Sequence, residues 1–147
     1  LTEGTLMQAT PKVERSLETL GSTGVQLCLD DFGKGYSSLE YLRRLPLERL
    51  KIDRSFVQGL TNDSPDPVIV SVVMALGKKL GLKVVAEGIE TEEQLEFLSA
   101  EGCSLVQGYL FSRPLRAPAI EELFEHGSSR IAPLHSRDLG SRSVASI

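Results

Sequence analysis

The 147-residue sequence has no tryptophan, only two cysteines, and no apolar run close to the ~20 residues of a membrane-spanning helix. Its first residues also lack the pattern of a secretory signal peptide. Cys28 and Cys103 lack the spacing of metal ligands, so we expect two reduced structural thiols rather than a disulfide. These absences predict a cytoplasmic segment without membrane contact, although a parent protein can carry an anchor elsewhere.

Clusters of positive charge are missing as well. The formal net charge is -4, and this argues against binding to long nucleic acid, which requires a basic surface. An anionic substrate would need metal ions or one or two placed cations instead. With 41% hydrophobic residues, the composition suits one ordinary globular domain with its own core.

Two adjacent carboxylates close the most informative predicted strand. Residues 25–30 alternate between apolar and polar side chains, and Asp30 and Asp31 precede a sharp turn at Gly33. Unpaired, such carboxylates repel each other, and a divalent cation removes the conflict. An ordinary solvated turn accounts for the same residues. This stretch alone leaves a metal site and a turn as alternatives.

Strand and helix patterns alternate along the chain with short links between them. Capping and proline signals predict helices that begin near Thr10, Ser37, Pro67, Thr91 and Pro118. Strands are predicted at 50–53, 83–86 and 105–109, with the end of another at 1–3. For the helix after Pro67, the predicted inward side chains are Val68, Ile69, Val72, Val73, Leu76 and Leu80.

Polar residues collect where the predicted strands end, namely Asp30, Asp31, Lys51, Glu87 and Gln107. In a β/α barrel these ends build the active site, whereas a doubly wound sheet usually shows a glycine-rich turn after its first strand. We therefore predict an α/β fold: about four βα units from the C-terminal portion of a TIM-like (β/α)8 barrel, which takes ~250 residues when complete. The predicted domain covers 1–126, and the Ser- and Arg-rich residues 127–147 are predicted to be a disordered tail or linker.

Four blocks of the sequence resemble the EAL-domain family of cyclic di-GMP phosphodiesterases in order and spacing. They are Asp-Asp-Phe-Gly-Lys-Gly-Tyr-Ser-Ser-Leu at 30–39, Leu-Lys-Ile-Asp at 50–53, Ala-Glu-Gly-Ile-Glu-Thr at 86–91 and Gln-Gly-Tyr-Leu-Phe-Ser at 107–112. A shorter block, Thr2-Glu3, matches upstream. The resemblance covers about residues 1 to 125 and implies a modified (β/α)8 barrel.

The resemblance also implies a metal centre. Glu3, Asp30 and Asp31 would ligate a pair of Mg²⁺ or Mn²⁺ ions, and Glu87 would help to hold them or act as a base. The family's opening block, which contains the Glu-Ala-Leu signature and further ligands, is absent here, so we expect the metal centre of this stretch alone to be incomplete.

Three further roles follow from the resemblance. Lys51 would lie near the attacked phosphate, Gln107 would orient the water or substrate, and Glu90 would brace the loop after Asp31. From the residues alone an alternative stays open, because Asp53 shares the strand face of Lys51 and could simply pair with it.

The implied reaction is the hydrolysis of one phosphodiester bond of cyclic di-GMP to linear pGpG, in bacterial second-messenger signalling. The competing possibilities are a cyclic di-GMP receptor that does not cleave and a truncated, inactive fragment. Every acid of the matched blocks is present, which favours the enzyme. As partners we expect cyclic di-GMP, and either a second copy of the chain or other domains of a larger signalling protein.

Overall fold

The structure is a computed structural model that describes residues 1–7, 10–33, 39–61, 64–125 and 145–146. A parallel sheet forms its centre. Its strands are β1 (Leu27–Phe32), β2 (Leu47–Ile52), β3 (Lys83–Glu87), β4 (Leu105–Gln107) and β5 (Ala145–Ser146). The strands lie in chain order, and each is parallel to the next. This confirms the predicted α/β class, because parallel neighbours must be joined by crossover connections.

Helices precede β1 and also lie in the connections between the strands. They are α1 (Glu3–Met7), α2 (Pro11–Ser22), α3 (Leu39–Arg44), α4 (Arg54–Gln58), α5 (Asp66–Leu80), α6 (Glu92–Ala100) and α7 (Ala117–Glu125), with a 3-10 turn at Gly59–Thr61. The core lies between the helices and the sheet, where Leu29, Leu50, Ile52 and Val106 are almost fully buried. Among the described residues, no helix is both long and apolar enough to cross a bilayer.

Local hydrogen bonds explain where several helices begin and end. The Thr10 hydroxyl accepts from the backbone N–H of Val13 at 3.4 Å, and α2 then starts at a proline. Thr91 and Gln94 form the predicted capping box of α6. Gly81 ends α5 in the left-handed conformation, with φ of 72°. The predicted cap at Ser37 lies outside the described residues.

The buried face of α5 matches the predicted one in part, since Val73 is buried and Ile69, Leu76 and Leu80 pack against the core. Val68 and Val72 are 67% and 61% exposed, so their inward placement was wrong. The buried positions are Val70, Val73, Met74 and Gly77, which share a face at intervals of three and four residues. Both faces of this helix carry valines, so hydrophobic periodicity alone could not choose between them.

Two further predictions need correction, and one helix was missed. The last predicted strand is shorter, since β4 ends at Gln107. At the start of the chain, Thr2 makes only an isolated parallel bridge to Asp30, and Glu3 begins a helix. The helix α4 was not predicted; Asp53 caps it by accepting from the Ser55 N–H at 2.9 Å. Ala145–Ser146, within the predicted tail, form β5. The boundary near residue 126 and the disorder of the rest of the tail stay predictions, because residues 126–144 and 147 lie outside the described part.

A substitution at Gly77 tests how closely α5 packs on the sheet. A Cβ at this position would collide with Cγ2 of Val84 in β3. Gly77→Ala should therefore lower the free energy of unfolding by about 1–3 kcal/mol through overpacking, despite the better helix propensity of alanine. Gly4 in α1 has open space around its Cα, so Gly4→Ala is the matched control and should not destabilise. Urea unfolding measures both, and a stabilised Gly77→Ala would contradict this packing.

Asp31 is the one described non-glycine residue with a positive φ, 56°, and it lies at the carboxyl end of β1. Left-handed backbone costs an L-residue about 1 kcal/mol and glycine almost nothing. Asp31→Gly should therefore be more stable than Asp31→Ala by about 1 kcal/mol in urea unfolding. At exposed Glu101, whose φ is -73°, the order should reverse, so that Glu101→Ala is more stable than Glu101→Gly. Equal stability of the two Asp31 variants would show that the turn does not impose this conformation.

Candidate active site

The polar residues predicted at the strand ends lie along one edge of the sheet. Asp30 and Asp31 are in the last part of β1, Lys51 is near the end of β2, and Glu87 and Gln107 end β3 and β4. Glu87 and Gln107 are direct partners in the β3–β4 register. Because parallel strands all end at the same edge, residues far apart in sequence meet there.

Lys51 lies between two carboxylates at this edge. Its Nζ is 3.1 Å from Oδ1 of Asp30 and also forms an ion pair with Oε1 of Glu87. The three side chains belong to β1, β2 and β3 and are 39% (Asp30), 24% (Lys51) and 21% (Glu87) exposed. One cation therefore connects three neighbouring strands in a partly desolvated position, where charge interactions are stronger than in water.

The environment of Lys51 favours its protonated form. Partial burial by itself lowers the pKa of the ammonium, but hydrogen bonds and charge attraction from Glu87 and Asp30 outweigh it and raise the pKa above its usual value. Lys51 therefore stays cationic at neutral pH. The alternative partner, Asp53, lies in the cap of α4, where its Oδ1 also accepts from the Ser55 hydroxyl at 2.6 Å.

The turn after β1 is held to the start of α1. Glu3 is 5% exposed, and its Oε2 accepts from the Gly33 N–H at 3.2 Å. The Asp30 N–H donates to the carbonyl of Leu1 at 2.6 Å, and the Asp31 N–H donates to Oδ1 of Asp30 at 3.1 Å. The structure thus brings three of the predicted metal ligands, Glu3, Asp30 and Asp31, to one turn.

Glu90 has a different contact from the predicted one. Its carboxylate pairs with Arg54, the first residue of α4. The loop after Asp31 that Glu90 was predicted to brace includes residues 34–38, which are not among those described, so that role stays a prediction. Cys28 and Cys103 are both free thiols, as predicted.

Arginine and tyrosine side chains at this edge were missed by the sequence analysis. The guanidinium carbon of Arg54 lies 5.8 Å from the centre of the Tyr109 ring, and that of Arg113 lies 5.1 Å from it, within the range of cation–π attraction. Arg54 follows the matched block at 50–53, and Tyr109 lies inside the block at 107–112. Their positions beside matched blocks were the available signal.

A cleft of about 180 Å³ opens beside these residues. Its lining consists of Arg54, Glu87, Gly88, Glu90, Gln107, Gly108 and Tyr109. Glu87 connects the cleft to Lys51, since it contacts the ammonium and also lines the cleft. A ligand in the cleft would therefore lie next to the charged centre at the strand ends.

The chemistry of the donors suits a hard divalent cation. Asp30 and Glu87 already converge on one positive charge, the Lys51 ammonium, and Mg²⁺ and Mn²⁺ prefer such carboxylate oxygens. Within the part of the chain that the structure describes, no three His, Cys, Asp or Glu side chains are grouped closely enough to hold an ion. These residues thus fit part of a ligand set rather than a closed cage.

Comparison with known proteins shows what this chain is similar to. A sequence model of the EAL domain matches residues 1–114. The cyclic di-GMP phosphodiesterase NbdA of Pseudomonas aeruginosa is 53% identical over 122 residues, which are 83% of this chain but 16% of NbdA. The chain therefore spans about a sixth of the length of this relative.

Solved structures share the fold. The MucR phosphodiesterase of Pseudomonas aeruginosa, solved in complex with c-di-GMP, superposes with a TM-score of 0.77 and 51% identity over 82% of this chain and 49% of that one. The Klebsiella pneumoniae protein BlrP1, in a manganese and cyclic di-GMP complex, gives a TM-score of 0.70 and 37% identity over 77% of this chain and 29% of that one. The predicted barrel-like EAL fold is confirmed, and the chain belongs to the EAL-domain family.

Proposed function

We propose that the protein containing this chain hydrolyses one phosphodiester bond of cyclic di-GMP and releases linear pGpG. The observation that carries this proposal is the ammonium of Lys51 between Asp30 and Glu87 at the strand ends. Support comes from NbdA and MucR, relatives named as phosphodiesterases of this cyclic dinucleotide, at more than 50% identity. The adjoining cleft provides a place for part of the substrate.

We assign the metal ligands to four carboxylates, Glu3, Asp30, Asp31 and Glu87, and the cofactor to two Mg²⁺ or Mn²⁺ ions. Such ions, when bound, lower the pKa of a water molecule and stabilise the charged oxygens of an in-line displacement. The calcium and manganese complexes of BlrP1 with cyclic di-GMP support a dependence on divalent ions. Further ligands would come from outside this stretch.

The proposed role of Lys51 is to stabilise negative charge on the attacked phosphate. Its ammonium is held in place by two carboxylates and stays protonated because its pKa is raised. A preorganised cation near the attacked phosphate stabilises the negative charge that develops on the phosphate oxygens. Gln107, which is exposed at the end of β4 and lines the cleft, would orient the water or the substrate through its amide.

The same relatives support a proposal about the larger assembly in which the domain works. Since NbdA is several times longer than this chain, we propose that the EAL domain works within a larger signalling protein or as a homodimer, with cyclic di-GMP as its small-molecule partner. The two free thiols support a reducing, cytoplasmic location.

Incubation of the full-length protein with cyclic di-GMP and Mn²⁺ tests the proposed reaction. We expect stoichiometric formation of pGpG, resolved by ion-exchange chromatography. EDTA should abolish the reaction, and excess Mn²⁺ should restore it. Tight binding of cyclic di-GMP without pGpG over several hours would identify a receptor and overturn the hydrolase.

Substitution of Lys51 separates its role from that of the metal ligands. Lys51→Ala should lower kcat by about 10²-fold, as expected for the loss of a transition-state contact, and should leave Mn²⁺ affinity nearly unchanged. Asp30→Asn should lower both kcat and Mn²⁺ affinity. Lys79→Ala, on the exposed side of α5, is the matched control and should behave as the parent. Turnover of Lys51→Ala at the parental rate would disprove the assigned role.

A further inference from the structure

The side chain of Arg54 crosses the turn that follows β3. A Cβ on Gly88 would collide with Cγ of Arg54 and would lie 2.8 Å from both its Cβ and its Cδ. The aliphatic part of Arg54 therefore occupies the place of a side chain at Gly88. Gly88 also has a φ of 78°, which side chains rarely adopt. The turn thus depends on glycine both for its backbone and for the space that Arg54 fills.

The guanidinium of Arg54 is fixed at its other end. It pairs with the Glu90 carboxylate and lies over the Tyr109 ring. When the Gln58 amide is turned so that its oxygen faces Arg54, this oxygen accepts hydrogen bonds from Nε and Nη2 of Arg54, both at 2.8 Å. The planar fork of arginine allows several such contacts at once, whereas the compact ammonium of lysine cannot reproduce them.

The opposite side of the same turn is held by backbone hydrogen bonds. The carbonyl of Gln107 accepts from the N–H groups of Gly88, at 2.7 Å, and Ile89, at 3.2 Å. The Ile89 carbonyl in turn accepts from the Leu110 N–H at 3.0 Å. The segment 87–90 is therefore held between a side chain that comes from the end of β2 and a backbone that comes from the end of β4.

We propose that Arg54 is a positioning residue for Glu87. It contacts two positions of the segment that Glu87 begins, packing on Gly88 and pairing with Glu90, and so holds the Glu87 carboxylate against Lys51. Although Arg54 also lines the cleft, it acts on the reaction through this segment and not by contact with the reacting atoms. The kinetic effects expected from this assignment depend on the proposed hydrolase activity.

A role in positioning differs from a role in stability. The Arg54 side chain is 49% exposed, and exposed ion pairs contribute little to folding, so Arg54→Met should leave the melting temperature within about 2 °C of the parent. Displacement of a catalytic group by about 1 Å costs up to about 10²-fold in rate. We therefore expect Arg54→Met to lower kcat by about 10- to 100-fold, with KM changed by less than about 2-fold.

The full-length protein with cyclic di-GMP and Mn²⁺ provides the kinetic test. Arg54→Lys should recover only part of the lost kcat. Arg44→Met is the matched control, because Arg44 is also half exposed and paired, with Glu14 and Glu40, but belongs to α3 and does not line the cleft; its kinetics should be parental. A rise in KM as the main effect of Arg54→Met would instead indicate substrate contact and would overturn the proposal.

A double-mutant comparison asks whether Arg54 acts through Glu87. In a Glu87→Gln background, Arg54→Met should change kcat by less than about 2-fold, because interacting residues are not additive. A loss in this background equal to that in the parent would overturn the proposal. Gly88→Ala should be less harmful together with Arg54→Ala than alone, since the shorter side chain makes room for the new methyl group.

Hydrogen–deuterium exchange of the full-length protein tests the same inference without turnover. In Arg54→Met, the peptide that covers residues 86–91 should exchange about 10-fold faster or more, while peptides from α5 keep the parental rate. Unchanged exchange at 86–91 would overturn the positioning role. If the parent forms no pGpG but Arg54→Met still accelerates this exchange, the hydrolase activity fails and the structural assignment stands.

Discussion

The contact of one ammonium with two carboxylates organises the whole polar edge of this domain. Lys51, Asp30 and Glu87 come from three neighbouring strands, and the ammonium offsets part of the negative charge of the two carboxylates in a partly buried position. Removing Lys51 would leave the two carboxylates without their shared cation in a partly buried place, which is costly. The remaining features of the site lie around this group: the Glu3 turn on one side, and the cleft with its arginine and tyrosine side chains on the other.

Close backbone approaches make this edge possible. Two glycines follow the polar strand ends, Gly88 after Glu87 and Gly108 after Gln107. A side chain at Gly108 would collide with the backbone of Ile89, and one at Gly88 would collide with Arg54. These glycines therefore allow the turns after β3 and β4 to touch at Gln107, where β4 ends. The side chains predicted to be catalytic lie on strands that end next to neighbouring turns.

Conformational strain is concentrated at the same edge. Among the described residues, Asp31 alone has a positive φ without being glycine, and it lies next to Asp30 and the Glu3 turn. Strained backbone tends to occur where a side chain must point in a functional direction, and stability is sacrificed for that direction. The core beneath, with Leu29, Leu50 and Ile52 almost fully buried, supplies the rigidity that holds such a turn.

The amino-acid sequence by itself determined the local elements and the residue types of the site. Caps at Thr10 and Thr91, the left-handed end of α5 and the polar strand ends all follow from short-range chemistry, because a cap or turn involves neighbours within four residues. The matched blocks also identified the family. The tertiary structure decided which face of α5 is buried, which carboxylates Lys51 meets, and that Arg54 spans the turn at Gly88. The contacts of Lys51 and Arg54 join residues 21 to 36 positions apart, and only the packing of parallel strands brings such residues together.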